Sequence, residues 1–238
     1  MTILTSWRRD GYAVLGEPLF SPGRFDDLTG IFEEHLAEHG ERIFDELDMP
    51  HRRDERLLEL LLNERLLNLV EPITGPDIVL WSSGFICKLP FTGPRTPWHT
   101  DAAYWEGRLD NDEGIVTVWL ALDRSSADNG CMRVIPGSHR HAPRRYRQRG
   151  PDDTFFRTEA VDVDESTAVD LELEPNHCSL HDGRILHGAN ANTGPHRRAG
   201  YTMRYLPATT RIIPQRNRGH DVWLARGEPV ADNAYVNA

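Results

Sequence analysis

The hydrophobic rhythm of this chain changes once, at Gly75 and Pro76, and that change limits its possible folds more than any other feature. Before it, RFDDLTGIFEEHLAEH (24–39) sets Phe25, Leu28, Ile31, Phe32 and Leu36 at three-to-four spacing, which predicts an amphipathic helix. DERLLELLLNERLLNLVEPI (54–73) predicts a second helix, with Asp54 as its N-cap and Pro72 marking its end. After the change come DIVLWSSGFICKLP (77–90), GIVTVWLAL (114–122), CMRVIPGS (131–138), AVDLEL (168–173), HCSLHDGRILHG (177–188) and RAGYTMRYLP (198–207). These segments are short and rich in β-branched or aromatic residues, and the turn clusters FTGPRTP, DNDEG, SADNG, EPNH and NANTGP separate them. Helices followed by many short strands predict an α+β protein whose sheet portion is a sandwich or jelly roll. HRHAPRRYRQRGPDD (139–153) is basic and aperiodic, and reads as a loop or lid. With no repeat, low-complexity tract or linker, the expectation is one domain over 1–238. Its parts are a helical portion to about 76, a jelly-roll core over about 77–210 and a C-terminal extension over 211–238.

Bulk properties remove several function classes. No run reaches the roughly 18 apolar residues that span a bilayer, and the N-terminus MTILTSWRRDGY lacks the order of a secretory signal. The three cysteines, Cys87, Cys131 and Cys178, show no C-x-x-C spacing, so neither a disulfide framework nor a zinc knot is expected, and a cytoplasmic setting is. A net charge of −10 repels nucleic acid and anionic membranes. The expected partner is a small-molecule substrate, acted on by a monomer or homodimer. Arginines are plentiful, yet Lys88 is the one lysine in the chain.

The stretch PWHTDAAYW (97–105) places His99 and Asp101 two residues apart among large aromatics. On a strand, both side chains point to one face, about 6–7 Å apart, and can reach one ion. An imidazole and a carboxylate supply two parts of a two-His, one-carboxylate facial triad, which leaves positions open on Fe(II). The third ligand comes from among His139, His141, His177, His181, His187, His196 and His220. A hairpin centred near 192–193 would set Arg198 opposite His187, on the same face. That pairing suits a 2-oxoacid, which chelates iron at one end and leaves a far carboxylate for a two-pronged guanidinium. Arg197 faces away in this register. His181 shares the strand parity of His187 and stands as a rival ligand.

WHTDAAYW, NGCMRVIPGSHRH, HDGRILHG, Arg198 and RYLP, in that order, resemble the phytanoyl-CoA dioxygenase-like branch of the Fe(II)/2-oxoglutarate oxygenases, over roughly residues 6–210. The resemblance implies a double-stranded β-helix (jelly-roll) core with N-terminal helices packed outside it. It implies Fe(II) held by His99, Asp101 and His187, 2-oxoglutarate anchored by Arg198, and O2 as oxidant. Lys88, in CKLP, resembles a lysine near the co-substrate, and Trp119 resembles a tryptophan packed beside it. Thr100 stands where many relatives carry Gln and is placed at the cofactor side. Ala189 stands where many carry Ser. Asp101 disfavours the halogenases of the family, in which a small residue replaces this carboxylate.

The implied reaction is hydroxylation of a C–H bond of a small metabolite, with natural-product biosynthesis as one setting, and with release of succinate and CO2. Desaturation, epoxidation and ring formation share the same oxidant and are not separable from sequence. A non-catalytic jelly-roll binding module and a cupin-type isomerase are the other readings. Phe85, Tyr104, Trp105, Met132, Arg133 and Arg204 are the substrate-binding candidates, by strand parity or proximity to motifs. The arginines of the basic segment, Arg140, Arg144, Arg145, Arg147 and Arg149, suit a docking patch for an anionic group or an acidic carrier protein.

Overall fold

The computed structural model describes residues 2–40, 49–141, 145–148 and 158–237. Four α-helices and twelve strands are found among them. Helix α1 (Ile3–Asp10) starts where the Thr2 side chain accepts from the Thr5 amide, and stops at Gly11, whose φ of +81° suits a residue without Cβ. Helix α2 (Pro22–His39) begins two residues before the predicted segment, with Pro22 at its start, where a missing N–H costs nothing.

The single helix predicted over 54–73 is two helices, α3 (Glu55–Leu61) and α4 (Glu64–Thr74). Asn63 is the reason: its side chain accepts from the Arg65 amide, so it caps a new helix instead of continuing the old one. Pro72 does not end α4. The helix carries it inside and stops at Gly75, with φ at +84°.

The strands are β1 (Tyr12–Val14), β2 (Ile78–Lys88), β3 (Thr96–His99), β4 (Val116–Ala121), β5 (Met132–Val134) and β6 (Tyr146–Gln148). They continue as β7 (Thr158–Ala160), β8 (Val169–Leu171), β9 (Cys178–Asp182), β10 (His187–Ala189), β11 (Arg198–Pro207) and β12 (Trp223–Arg226). One sheet has the order β1-β9-β4-β11-β2-β12, a second β3-β10-β5-β8, and β6 pairs with β7. The registers resolved are antiparallel. This is the α+β architecture expected from the texture of the sequence, with the double-stranded β-helix core that the family resemblance implied.

Two expectations of local register fail. HCSLHDGRILHG is not one strand. Asp182 accepts from the amides of Arg184 and Ile185, and this turn delivers β9 and β10 to different sheets. The hairpin expected to place Arg198 opposite His187 is also absent, because β10 pairs with β3 and β5, with His187 opposite His99 and Val134. Part of the segment predicted as a loop, 139–153, is strand β6, while Arg144 and Arg149 lie outside the described residues.

The chain divides into two compact units. The first comprises Met1–Pro18, Ile86–Tyr104 and Trp119–Tyr201. Its apolar centre is Trp119, Ala121, Met132, Val134, Leu171, Leu173 and Ile185, with Tyr12 packed against it. The second comprises Leu19–Phe85, Trp105–Val118 and Thr202–Ala238. There Leu28, Phe32, Leu57, Leu61, Leu66, Trp81 and Tyr205 are buried, and the Tyr205 hydroxyl donates to the Leu61 carbonyl at 2.7 Å. Among the described residues no helix is long and apolar enough to cross a membrane.

The second unit also buries His51, whose Nδ1 lies 2.7 Å from Ser83 Oγ and whose Nε2 has no hydrogen-bond partner. Burial lowers its pKa to about 4, helped by the nearby His220 and Arg52. A folded-state pKa below the unfolded value of about 6.5 means that stability is complete above pH 6.5 and is lost as pH falls toward 4. Between pH 7.5 and pH 5 this group should remove about 2 kcal/mol. Urea unfolding at the two pH values should show that loss in the wild type and a loss smaller by this amount in His51→Asn; equal losses in both would refute the assignment.

Candidate metal centre

Strand β3 delivers His99 at its last residue, and the chain then turns into a short 3-10 helix whose first residue is Asp101. The two do not lie on one strand face, as alternation would have it; the turn swings the Asp101 carboxylate back toward His99. The Ala102 amide donates to the Gly183 carbonyl at 2.8 Å and fixes that turn. Strand β10 brings His187 in from the other side, with its Cα paired to that of His99. One ligand atom from each of His99, Asp101 and His187 can be chosen so that all lie within 4.8 Å of one another, and all three residues are buried.

The two histidines are aimed by the same device. His99 Nδ1 lies 2.8 Å from the Pro97 carbonyl and His187 Nδ1 3.1 Å from the Ile185 carbonyl, in each case two residues back. A carbonyl only accepts, so each Nδ1 carries a proton and each Nε2 is the nitrogen left to face inward. Both Nε2 atoms stand 3.8 Å from Asp101 Oδ1. An octahedral ion with ligands at about 2.1 Å holds neighbouring donors roughly 3 Å apart, so each of these two separations needs to close by less than an ångström. Burial, reinforced by His99 and His181, holds the His187 pKa well below the usual imidazole range, so it is the neutral, ligating form. The donor set, two imidazoles and a carboxylate, suits ferrous iron.

Arg198 starts β11 in the same unit and is 3 % exposed. Its Nε and Nη1 have no hydrogen-bond partner among the described residues, and its Cζ stands 4.7 Å over the Trp119 ring. Burial lowers its pKa to about 10, which still leaves a cation at neutral pH. A buried guanidinium with unfilled donors is costly unless an anion meets it. Gly200, two residues on, makes room for the ring: a Cβ there would lie 2.2 Å from Trp119 Cζ2. Sequence reading missed Gly200, although a glycine inside a strand signals such a close approach.

Lys88 is fully buried at the end of β2, and its Nζ donates to the Pro94 and Asn190 carbonyls at 2.8 and 2.6 Å. Burial and the Arg198 charge lower its pKa to about 6. Thr100 Oγ1 lies 2.9 Å from the Tyr146 hydroxyl on β6. Tyr104 stands edge-on to His99, with ring centroids 5.6 Å apart, and donates to the Thr158 carbonyl on β7.

The other substrate candidates divide. Met132 packs in the apolar centre of the first unit. Arg133, its neighbour on β5, points the other way, to Asp170 at 3.1 Å and Glu165 at 2.9 Å. Phe85 packs on Phe32 of α2, with ring centroids 5.2 Å apart. Arg204 and Trp105 meet within the second unit, Cζ 5.9 Å from the ring. In the basic segment Arg145 pairs with Asp162, Arg147 with Glu159 and Arg140 with the Arg9 carbonyl, so three of the arginines expected to dock an anion are already engaged.

Residues 7–200 match the profile of a protein family described as "Phytanoyl-CoA dioxygenase (PhyH)". The chain is 27 % identical over 164 residues to a phytanoyl-CoA dioxygenase domain-containing protein 1 homolog of Caenorhabditis elegans, covering 66 % of this chain and 56 % of that protein. It is 29 % identical over 169 residues to the peroxisomal phytanoyl-CoA dioxygenase of Bos taurus, covering 68 % and 49 %. The chain thus spans about half the length of these relatives. Among solved structures, the non-heme monooxygenase ThoJ in its apo form superposes with a TM-score of 0.80 at 24 % identity, covering 99 % of this chain and 87 % of that one. The non-heme alpha ketoglutarate dependent carbocyclase SnoK from nogalamycin biosynthesis superposes with a TM-score of 0.72 at 23 % identity, covering 92 % and 88 %. With its fold, its buried His-Asp-His cluster and a family match across most of its length, the chain belongs to the phytanoyl-CoA dioxygenase family of non-haem iron, 2-oxoglutarate-dependent oxygenases.

Proposed function

We propose that this chain hydroxylates a C–H bond of a small-molecule metabolite, using O2 and 2-oxoglutarate and releasing succinate and CO2. The observation that carries the reading is the unpartnered, buried guanidinium of Arg198 in the same unit as the His99, Asp101 and His187 cluster. A binding module has no need of a ligand set with a separate buried cation. A metal isomerase has no need of the cation.

Bound ferrous iron and 2-oxoglutarate supply the oxidising chemistry, and the chain supplies binding, orientation and shelter. His99, Asp101 and His187 would hold the metal through two imidazoles and one carboxylate. Arg198, with Nε and Nη1 unpartnered among the described residues, would hold the far carboxylate of 2-oxoglutarate. Trp119 backs that guanidinium with its ring face, and Gly200 gives the ring its place. Lys88 ties Pro94 and Asn190 to β2 beside Arg198, so it shapes the co-substrate pocket as a brace. Thr100, between two of the ligands, stands at the co-substrate side, and Tyr104, edge-on to His99, lines the side on which a substrate would approach. The paired strands β6 and β7 are joined to them through Tyr146 and Thr158. The same site supports ring formation when a substrate offers a second nucleophilic group near the oxidised carbon, as the likeness to a carbocyclase favours.

Anaerobic addition of Fe(II) and 2-oxoglutarate should produce a weak visible charge-transfer band that neither gives alone. Asp101→Ala should lose the band. Arg198→Ala should keep metal binding but need about 10–100-fold more 2-oxoglutarate, since hydrogen bonds to a charged partner contribute about 1.5–3 kcal/mol. A full band in Asp101→Ala, or an unchanged requirement in Arg198→Ala, would refute the reading. Gly200→Ala should push Trp119 away from Arg198 and also raise the 2-oxoglutarate requirement, with Fe(II) affinity unchanged. An unchanged requirement there would remove the ring's role.

A further inference from the structure

His181 sits on β9, 2 % exposed, and neither of its ring nitrogens has a hydrogen-bond partner. An imidazole always carries at least one N–H, and leaving a buried polar group unmade costs about 1–3 kcal/mol. The backbone nonetheless holds it in place. Its Cα pairs with Tyr12 of β1, the following Asp182 amide donates to the Gly11 carbonyl at 2.9 Å, and Gly183 accepts from Ala102. That last bond joins the end of β9 to the turn carrying Asp101.

The Asp101 carboxylate is therefore approached from two sides. Its Oδ1 faces the Nε2 atoms of His99 and His187, each at 3.8 Å. Its Oδ2 faces His181 Nε2, at 3.6 Å, and the His181 ring lies 4.6 Å from that of His187. The metal-binding cluster is His99, Asp101 and His187, and His181 falls outside it. Resting on the function proposed above, we propose that His181 is a positioning residue. Its Nε2–H holds Oδ2 of Asp101, so that the carboxylate offers one oxygen, Oδ1, to the ion. A movement of a few tenths of an ångström turns the 3.6 Å approach into a hydrogen bond. With Oδ2 held, Asp101 cannot chelate through both oxygens, and the place that a second oxygen would take stays open for co-substrate or oxygen. The partner of a ligating group fixes its orientation and raises its affinity for metal.

Anaerobic titration with Co(II), a spectroscopic substitute for Fe(II), tests this on the full chain. The proteins are wild type, Asp101→Ala, His181→Phe, His181→Leu and His181→Gln. The apolar variants should bind Co(II) about 10–100-fold more weakly than wild type. Gln keeps an N–H at a similar reach and should restore affinity to within a few-fold of wild type. Without metal, the apolar variants should melt at or above the wild-type temperature, because they remove an unsatisfied buried imidazole; a structural role alone would lower it. His181→Leu serves if the ring variant fails to fold. Wild-type affinity in the apolar variants would overturn the proposal, as would a Gln variant as weak as Phe. Complete loss of binding in the apolar variants, matching Asp101→Ala, would make His181 a ligand instead. Equal Co(II) binding by wild type and Asp101→Ala would overturn the metal centre itself and this inference with it.

Discussion

A carboxylate buried to 5 % exposure among three buried imidazoles is the constraint around which the first unit is organised. Taking a carboxylate out of water costs several kcal/mol unless a cation or hydrogen-bond donors meet it. A divalent cation offsets that cost. The frame that imposes this arrangement is made of backbone hydrogen bonds. Pro97 and Ile185 carbonyls orient His99 and His187, the two candidate ligands, and the Gly183 carbonyl holds the turn that bears Asp101. Because the ligands stand on β3, on the turn after it and on β10, the β3–β10 pairing is the geometric condition for the site.

The second charge of the site is solved differently. Arg198 lies on an aromatic face, which gives a cation partial compensation while leaving its Nε and Nη1 donors unfilled among the described residues. An internal ion pair, such as the one Arg197 makes with Asp123 at 2.8 Å, would have satisfied the guanidinium and removed its capacity to hold a ligand. Adjacent arginines therefore carry opposite tasks, and strand alternation separates them. Lys88 shows a third outcome, a buried amine spent on two carbonyls.

Much of this was legible in the sequence because it depends on local spacing. The His-x-Asp pair, the distal histidine and the arginine eleven residues later are readable as chemistry, and alternation alone sets Arg198 apart from Arg197. The change from helical to strand periodicity gave the fold class. What failed depended on competition between partners. Asn63 could stay in a helix or cap a new one, and only the tertiary setting decides. The turn at Asp182 separates two strands that share an unbroken apolar pattern, so His181 and His187 come together from different sheets although a single strand was expected. Likewise, Met132 and Phe85 have the composition of pocket walls, but packing uses them as core.

At the candidate site three side chains would share one ion. The most direct measurement is anomalous diffraction at the iron edge from crystals soaked with Fe(II) under argon. It should show a single strong peak at about 2.0–2.2 Å from His99 Nε2, Asp101 Oδ1 and His187 Nε2. No peak at this cluster, or a peak bound by groups elsewhere in the chain, would contradict it.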